Sequence, residues 1–180
     1  MRATFRNVPA RVIARDIDVA YGGALYASVP AERFGLRVTP EDLPRLIETG
    51  RAVKRALAGT AAARHPGDER LSGIYGTILY EELGPLHQRN VTIFADGEVD
   101  RSPCGSGTSA RCALLAADGV LGAEDVLRHD GIVGTTFHAR LVGEGDGGVL
   151  TEVEGMAYRT GEHRFVLDPR DTLETGFVLR

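Results

Sequence analysis

Cysteine is scarce: Cys104 and Cys112 are the two cysteines in a chain of 180 residues. Two thiols cannot build a disulfide scaffold, so a reducing cytoplasm is the expected compartment. Lysine and arginine together number 21 against 25 aspartates and glutamates, and they form no basic run. The resulting net charge of −4 speaks against a nucleic-acid partner and against an anionic membrane surface, since both select a positive footprint. The longest uninterrupted apolar run covers only residues 112–117, far short of the ~20 residues that span a bilayer. Arg2, Arg6, Arg11, Arg15, Asp16 and Asp18 break up the N-terminal stretch, which leaves no apolar core for a signal peptide.

What is present describes an ordinary globular chain: 43% hydrophobic and 26% charged residues, values that argue against disorder. The length suits one domain or two small lobes, and a chain of this size buries about 70% of the surface it exposes when unfolded. Glycine is the outlier, with 23 of 180 residues against an average near ~7%. The glycines are spread along the chain, as expected for many tight turns between short strands.

Residues 11–21 alternate, with Ile17, Val19 and Tyr21 opposite Asp16 and Asp18, and predict a strand with one wet face. Gly22-Gly23 reads as a turn into a second strand over 24–29. The period then changes. Thr39 is a plausible N-cap and Pro40 suits the first helical position. Leu43, Leu46, Ile47, Gly50, Val53 and Leu57 follow at helical spacing until Gly59 stops the helix. Strands are predicted over 74–80, 91–95, 132–142, 149–158 and 164–167, with a turn at Asp96-Gly97 and a short helix over about 108–118. The expected class is α+β, with mainly antiparallel strands and two helices set among them.

The chemistry concentrates in Asp100-Arg-Ser-Pro-Cys-Gly-Ser-Gly-Thr-Ser-Ala-Arg111. Pro103 is read as ending a strand, and the glycine-rich stretch after Cys104 as leading into a helix. The free amides of Gly105, Ser106 and Gly107 would then surround one point at the positive helix end, which suits a carboxylate or phosphate. The same field should lower the Cys104 thiol below an ordinary cysteine. Asp100 could receive a cationic group. A carboxylate binder, a thiol and an anion together describe a site for an amino acid. From spacing alone, a buried cysteine beside a glycine-rich turn explains the segment equally well.

Other readings are weaker. There is no Gly-x-x-x-x-Gly-Lys, and Gly105-Ser-Gly107 lacks the third glycine of a dinucleotide fingerprint. His65, His87, His129, His138 and His163 have no ligand spacing, so no metal site is expected, and each reads as a surface or strand residue. A Cys–His hydrolase remains open, although no histidine stands out as its base. Cys112 lies eight residues beyond Cys104, about 12 Å along a helix axis. It cannot share a substrate carbon with Cys104, and it reads as a small core residue among Ala110, Ala113 and Leu114.

The 100–111 segment resembles the second cysteine motif of the proline racemase family, which includes hydroxyproline 2-epimerases and trans-3-hydroxyproline dehydratases. Arg6-Asn-Val-Pro9, Ala20-Tyr-Gly-Gly-Ala-Leu-Tyr-Ala27, Ile132-Val-Gly134, Gly155-Met-Ala157 and Gly176-Phe177 match further words of the family in the same order. The resemblance implies a lobe of the diaminopimelate epimerase type, with strands wrapped around a central helix and substrate held between two lobes. It implies no cofactor, since a secondary amine such as proline cannot form the imine that pyridoxal phosphate requires. Instead one thiolate takes the Cα proton, a thiol opposite returns one, and backbone amides stabilise charge on the carboxylate. Carried onto this chain, Cys104 is an acid/base group, Gly105 and Ser106 bind the carboxylate, and Asp100 meets the amine.

The family's first cysteine lies in a Met-Cys-Gly-His-like segment, and this sequence has none. Residues 1–180 therefore resemble the C-terminal portion of a family member, the second lobe with its return strands, with the first lobe missing. Cys104 fits the racemases and epimerases, because the dehydratase branch often has threonine there. The segment 74–79 looks closer to dehydratase-like or racemase-like branches than to hydroxyproline epimerases. Three functions follow: a racemase or epimerase of proline or hydroxyproline, a trans-3-hydroxyproline dehydratase, or a non-catalytic half that binds an imino acid or a partner chain. The expected partner is a small-molecule substrate, with no nucleic acid and no membrane, and a homodimer is compatible with each reading.

Overall fold

The computed structural model describes residues 1–15, 17–145, 147–173 and 176. Asp16 of the first predicted strand and Phe177 of the last family-like word lie outside the described residues. In chain order the elements are β1 (Arg2–Ala14), β2 (Asp18–Tyr21), β3 (Leu25–Pro30), α1 (Leu43–Leu57), β4 (Ile74–Gly84), β5 (His87–Phe94), β6 (Glu98–Val99), α2 (Gly105–Ala117), β7 (Leu127–Gly131), β8 (Thr136–Gly145) and β9 (Gly148–Met156).

The sheet runs β4-β3-β2-β1-β9-β8-β7-β5, and a further β4–β5 pairing closes these eight strands into a barrel, with β6 attached to β5. The mixture of strands and helices agrees with an α+β class. The strand pairings are mainly antiparallel, as expected, with two exceptions: β3 pairs parallel with β4, and β5 parallel with β7. A parallel pair needs a long crossover, commonly a helix. Here α1 lies between β3 and β4 in the chain, and α2 between β5 and β7.

The two helices take opposite faces of the sheet, following the two-residue alternation of each strand. On β3, Leu25 and Ala27 pack with Leu57 at the end of α1, and Val29 packs with Leu46 of α1. Tyr26, between them, faces the other way and clusters with Ala110 and Leu114 of α2. Helix α1 is amphipathic and covers the outside of β4 and β5. Helix α2 is instead buried from Gly107 through Leu115 and touches β1, β2, β3, β8 and β9. A helix buried on all sides inside a barrel must be thin, and Gly107, Ser109, Ala110 and Ala113 make it so. Its polar side chains are satisfied internally. Ser109 Oγ accepts from Thr151 Oγ1 at 2.9 Å, and Arg111 donates Nε to Gln88 Oε1 at 3.2 Å while its guanidinium lies 4.0 Å over the Tyr80 ring.

Several expected boundaries shift. The single strand over 11–21 is a hairpin, since Arg11 pairs with Tyr21 and Val12 with Ala20. Alternation survives such a bend, so periodicity alone does not reveal it. The expected strand over 132–142 starts at Thr136, because Gly131 N–H donates to Thr135 O at 2.7 Å and turns the chain. Segment 164–167 forms no strand, and Phe165, Val166 and Leu167 are exposed. No helix among the described residues is long and apolar enough to cross a membrane.

The turn from β2 to β3 presses directly on α2. A Cβ at Gly22 would collide with the Ser106 carbonyl oxygen and lie 2.7 Å from the Ala110 amide nitrogen. Both obstacles are backbone and cannot swing aside. Gly22→Ala should therefore cost about 1–3 kcal/mol or more through overpacking, whereas Gly35→Ala, which meets open space, suffers only its positive φ. Urea unfolding of the two variants compares these costs, with the larger loss expected at Gly22.

Candidate active site

The site forms where the edge of β5 changes partner. Residues His87–Asn90 of β5 pair with β7, whereas Ile93 and Phe94 pair with β6. Between the end of β7 and the end of β6 the 100–103 turn enters the barrel, close enough that a Cβ on Gly131 would sit 3.3 Å from Pro103 N. Pro103 thus lies within a turn and does not end a strand, since β6 stops at Val99. Helix α2 also begins earlier than the expected 108, at Gly105, with Cys104 as its N-cap.

Cys104 has φ 67° and ψ 111°, a positive φ that side-chain-bearing residues rarely adopt and that costs about 1–3 kcal/mol. Hydrogen bonds on every side hold it there. Asp100 Oδ1 accepts from Ser102 N and Oγ, both at 2.8 Å, and Ser102 Oγ accepts from Cys104 N at 3.1 Å. Thr108 N donates to Cys104 O at 2.7 Å. One residue back, Pro103 O accepts from Asn90 Nδ2 at 3.0 Å and from Thr108 Oγ1 at 3.3 Å.

Behind this loop stands His129, wholly buried on β7, with Thr108 Oγ1 2.8 Å from Nδ1 and Asn90 Nδ2 2.6 Å from Nε2. Burial, reinforced by nearby Arg111, lowers its pKa to about 3, so the ring is neutral. It braces the cysteine loop through Asn90 and Thr108.

The thiol points at β3. Cys104 Sγ lies 3.5 Å from Tyr26 Oη and 3.9 Å from Ser106 Oγ, and Tyr26 Oη lies 2.7 Å from Ser106 Oγ. The Gly107 amide reaches the sulfur, and a Cβ on Gly107 would crowd Sγ at 3.0 Å. The first intrahelical bond is made by Thr108 N, and the helix therefore offers no acceptor to the amides of Gly105 and Ser106.

The expected low thiol pKa is corrected. Cys104 is 6% exposed, and burial pushes its pKa above the ordinary cysteine value. Hydrogen bonds from Tyr26, the Gly107 amide and Ser106 pull it down but do not win, and Asp100 pushes it further up. The Gly107 amide at the helix end still lowers the thiol, but the loss of water on burial outweighs it.

The four residues singled out in the sequence, Asp100, Cys104, Gly105 and Ser106, fall within one turn and the helix start it leads into. Tyr26, Asn90 and His129 were missed. They come from β3, β5 and β7, and only closure of the barrel brings them to the cysteine. Cys112 lies in a separate cluster with Leu115, Leu121, Leu127, Ala139 and Val153, and full burial pushes its thiol up to about 12. Among the described residues no group of histidine, cysteine and carboxylate side chains is arranged to hold a metal ion.

Two outcomes test this geometry. Iodoacetamide should modify Cys104 well before Cys112 at neutral pH, because Cys112 is wholly buried and its thiol is pushed up to about 12, as mass mapping of the labelled peptides would show. For His129 the proton balance fixes the sign. Its pKa falls from 6.5 to about 3 on folding, so below about pH 6.5 the unfolded chain binds a proton that the folded chain refuses. Stability should drop by up to ~1.4 kcal/mol per pH unit towards pH 3. Urea unfolding between pH 7 and 4.5 should show a shallower decline for His129→Gln.

The family model described as proline racemase matches residues 12–178. The chain is 40% identical, over 98% of its length, to a trans-3-hydroxy-L-proline dehydratase of Bacillus thuringiensis subsp. konkukian. It is 39% identical, again over 98% of its length, to a 3-hydroxyproline 2-epimerase of Burkholderia multivorans. In each case it spans 58% of the relative's own length. A crystal structure of a hydroxyproline epimerase from Agrobacterium vitis with bound trans-4-hydroxy-L-proline superposes with a TM-score of 0.82 at 31% identity, over 99% of this chain and 56% of that one. A probable proline racemase from Agrobacterium radiobacter K84 with bound carbonate gives 0.83 at 27% identity, over 99% of this chain and 57% of that one. With matches this extensive, and with a cysteine seated at the head of a barrel-enclosed helix, the chain belongs to the proline racemase family.

Proposed function

We propose that this chain carries one half of a cofactor-independent site that removes and returns the Cα proton of proline or a hydroxyproline. The observation that carries the reading is Cys104 at the head of α2, beside the open amides of Gly105 and Ser106. A substrate carboxylate at those amides brings Cα towards Sγ. Asp100 spends Oδ1 on Ser102, and its other oxygen is available to a substrate ammonium.

Burial shapes the chemistry. A thiol with a raised pKa is seldom ionised at neutral pH, but its thiolate is the stronger base, which suits a weakly acidic Cα–H. As the proton moves to sulfur, negative charge spreads onto the carboxylate, where the Gly105 and Ser106 amides oppose it. Inversion needs a second proton donor on the opposite face of Cα. Cys112 does not reach the site, and we assign that donor to a second lobe of the diaminopimelate epimerase type, closing over Cys104 and excluding water.

The dehydratase reading is favoured by the names of the relatives, several of which are trans-3-hydroxy-L-proline dehydratases. It uses the same first step: Cys104 takes the Cα proton, the bond from C3 to its hydroxyl breaks, and the thiol passes that proton to the departing hydroxide, which leaves as water. One base on one face then suffices.

The test is to incubate the purified chain with L-proline and, separately, with trans-3-hydroxy-L-proline in D₂O. Slow Cα deuteration of proline without D-proline, abolished in Cys104→Ala, is the expected result. Rapid D-proline formation would place a second acid/base group within this chain and overturn the half-site reading. Loss of the 3-hydroxyl without epimer formation would select the dehydratase. Absence of exchange, with no protection of Cys104 from alkylation by pyrrole-2-carboxylate, would leave a non-catalytic half.

A further inference from the structure

We infer that Tyr26 is a positioning residue for Cys104, its hydroxyl shared with Ser106 so that the hydrogen bonds among the three reverse direction as the thiol gains or loses its proton. The inference rests on the reading of Cys104 as the acid/base group, but it concerns the thiol alone and needs no substrate to be tested.

Tyr26 is 1% exposed on the inner face of β3, and its ring meets Tyr75 edge-on at 5.7 Å. Its hydroxyl has two polar neighbours, Ser106 Oγ at 2.7 Å and Cys104 Sγ at 3.5 Å. A phenol has one proton to give, so it cannot donate to both. When Cys104 is a thiol, S–H donates to Tyr26 Oη and the phenol donates to Ser106 Oγ. The Ser106 hydroxyl proton is then free to turn to a bound carboxylate. When Cys104 is a thiolate, the sulfur is an acceptor, the phenol turns to it, and Ser106 donates to Tyr26 Oη instead.

The consequence for proton abstraction is one of timing. As the Cα proton reaches Sγ, the chain of hydrogen bonds reverses and releases the Ser106 donor at the moment charge builds on the carboxylate. One proton moves, from carbon to sulfur; those of Tyr26 and Ser106 only rotate. Burial raises the pKa of the Tyr26 phenol, which keeps it a donor throughout. The other ionisable neighbours are Asp100, which faces the thiol from the turn after β6, and Tyr75 on β4, which faces Tyr26.

The experiment is the pH profile of Cys104 alkylation by iodoacetamide, mapped by mass with Cys112 as internal control. It is run on the wild-type chain, Tyr26→Phe, Ser106→Ala and the double variant, with folding checked by circular dichroism and thermal melting. Tyr26→Phe should raise the midpoint by about one pH unit, slowing labelling about tenfold at neutral pH. Ser106→Ala should raise it less, and its effect should shrink markedly once Tyr26 is Phe, because only its long 3.9 Å contact with Sγ then remains. An unchanged midpoint in a folded Tyr26→Phe variant overturns the inference, as does an equal effect of Ser106→Ala in both backgrounds. If Tyr26→Phe does not fold, Ser106→Ala decides alone, and an unmoved midpoint overturns it. Failure of imino-acid exchange counts against the proposed function and leaves these titrations to stand or fall separately.

Discussion

A helix held inside a closed barrel is the constraint on which the rest of this structure depends. Because α2 is buried from Gly107 to Leu115, its residues must be small, apolar or internally paired, and its ends are the parts within reach of a ligand. That single requirement explains the glycines and alanines of the 105–117 stretch, the pairing of Ser109 with Thr151, and the close seat of Gly22 on the helix. It also explains the reactive end. The amides of half-buried Gly105 and Ser106 at the head of α2 are left open by helix geometry, while the thiol beside them is buried.

Enclosure has two opposed effects on Cys104. The helix start and Tyr26 favour the thiolate, while the loss of water disfavours it, and the second effect is larger. The balance gives a thiol that is mostly protonated yet surrounded by donors for its charged form. Such a group is suited to accepting and returning a proton, and less suited to acting as a standing nucleophile. The strained backbone at Cys104 is held by the Asp100–Ser102 pair on one side and the Asn90–Thr108–His129 group on the other. The site is therefore supported from β5 and β7 as much as from its own loop.

Much of the local structure was legible along the chain. Helix α1 followed from the 3.6-residue spacing of Leu43, Leu46, Ile47 and Leu57, and several strands from their alternation. The sheet's mixed direction was legible in principle, since each parallel pair brackets a helix, but strand periodicity is the same in both directions and hides it. Hairpin bends were also hidden, because alternation continues through the break between Ala14 and Asp18.

The sequence by itself determined the cysteine motif: Asp100, Cys104, Gly105 and Ser106 are neighbours in the chain, so any fold that starts a helix there brings them together. It also separated Cys112 from the site, by helix rise alone. Only the tertiary structure decided the company Cys104 keeps. Tyr26 is 78 positions away in the chain and Asn90 is 14, and no spacing rule relates them until the barrel closes. The ionisation of the thiol was decided in the same way. Helix-end amides can be read from a motif, but burial is a property of the whole barrel, and burial outweighed them.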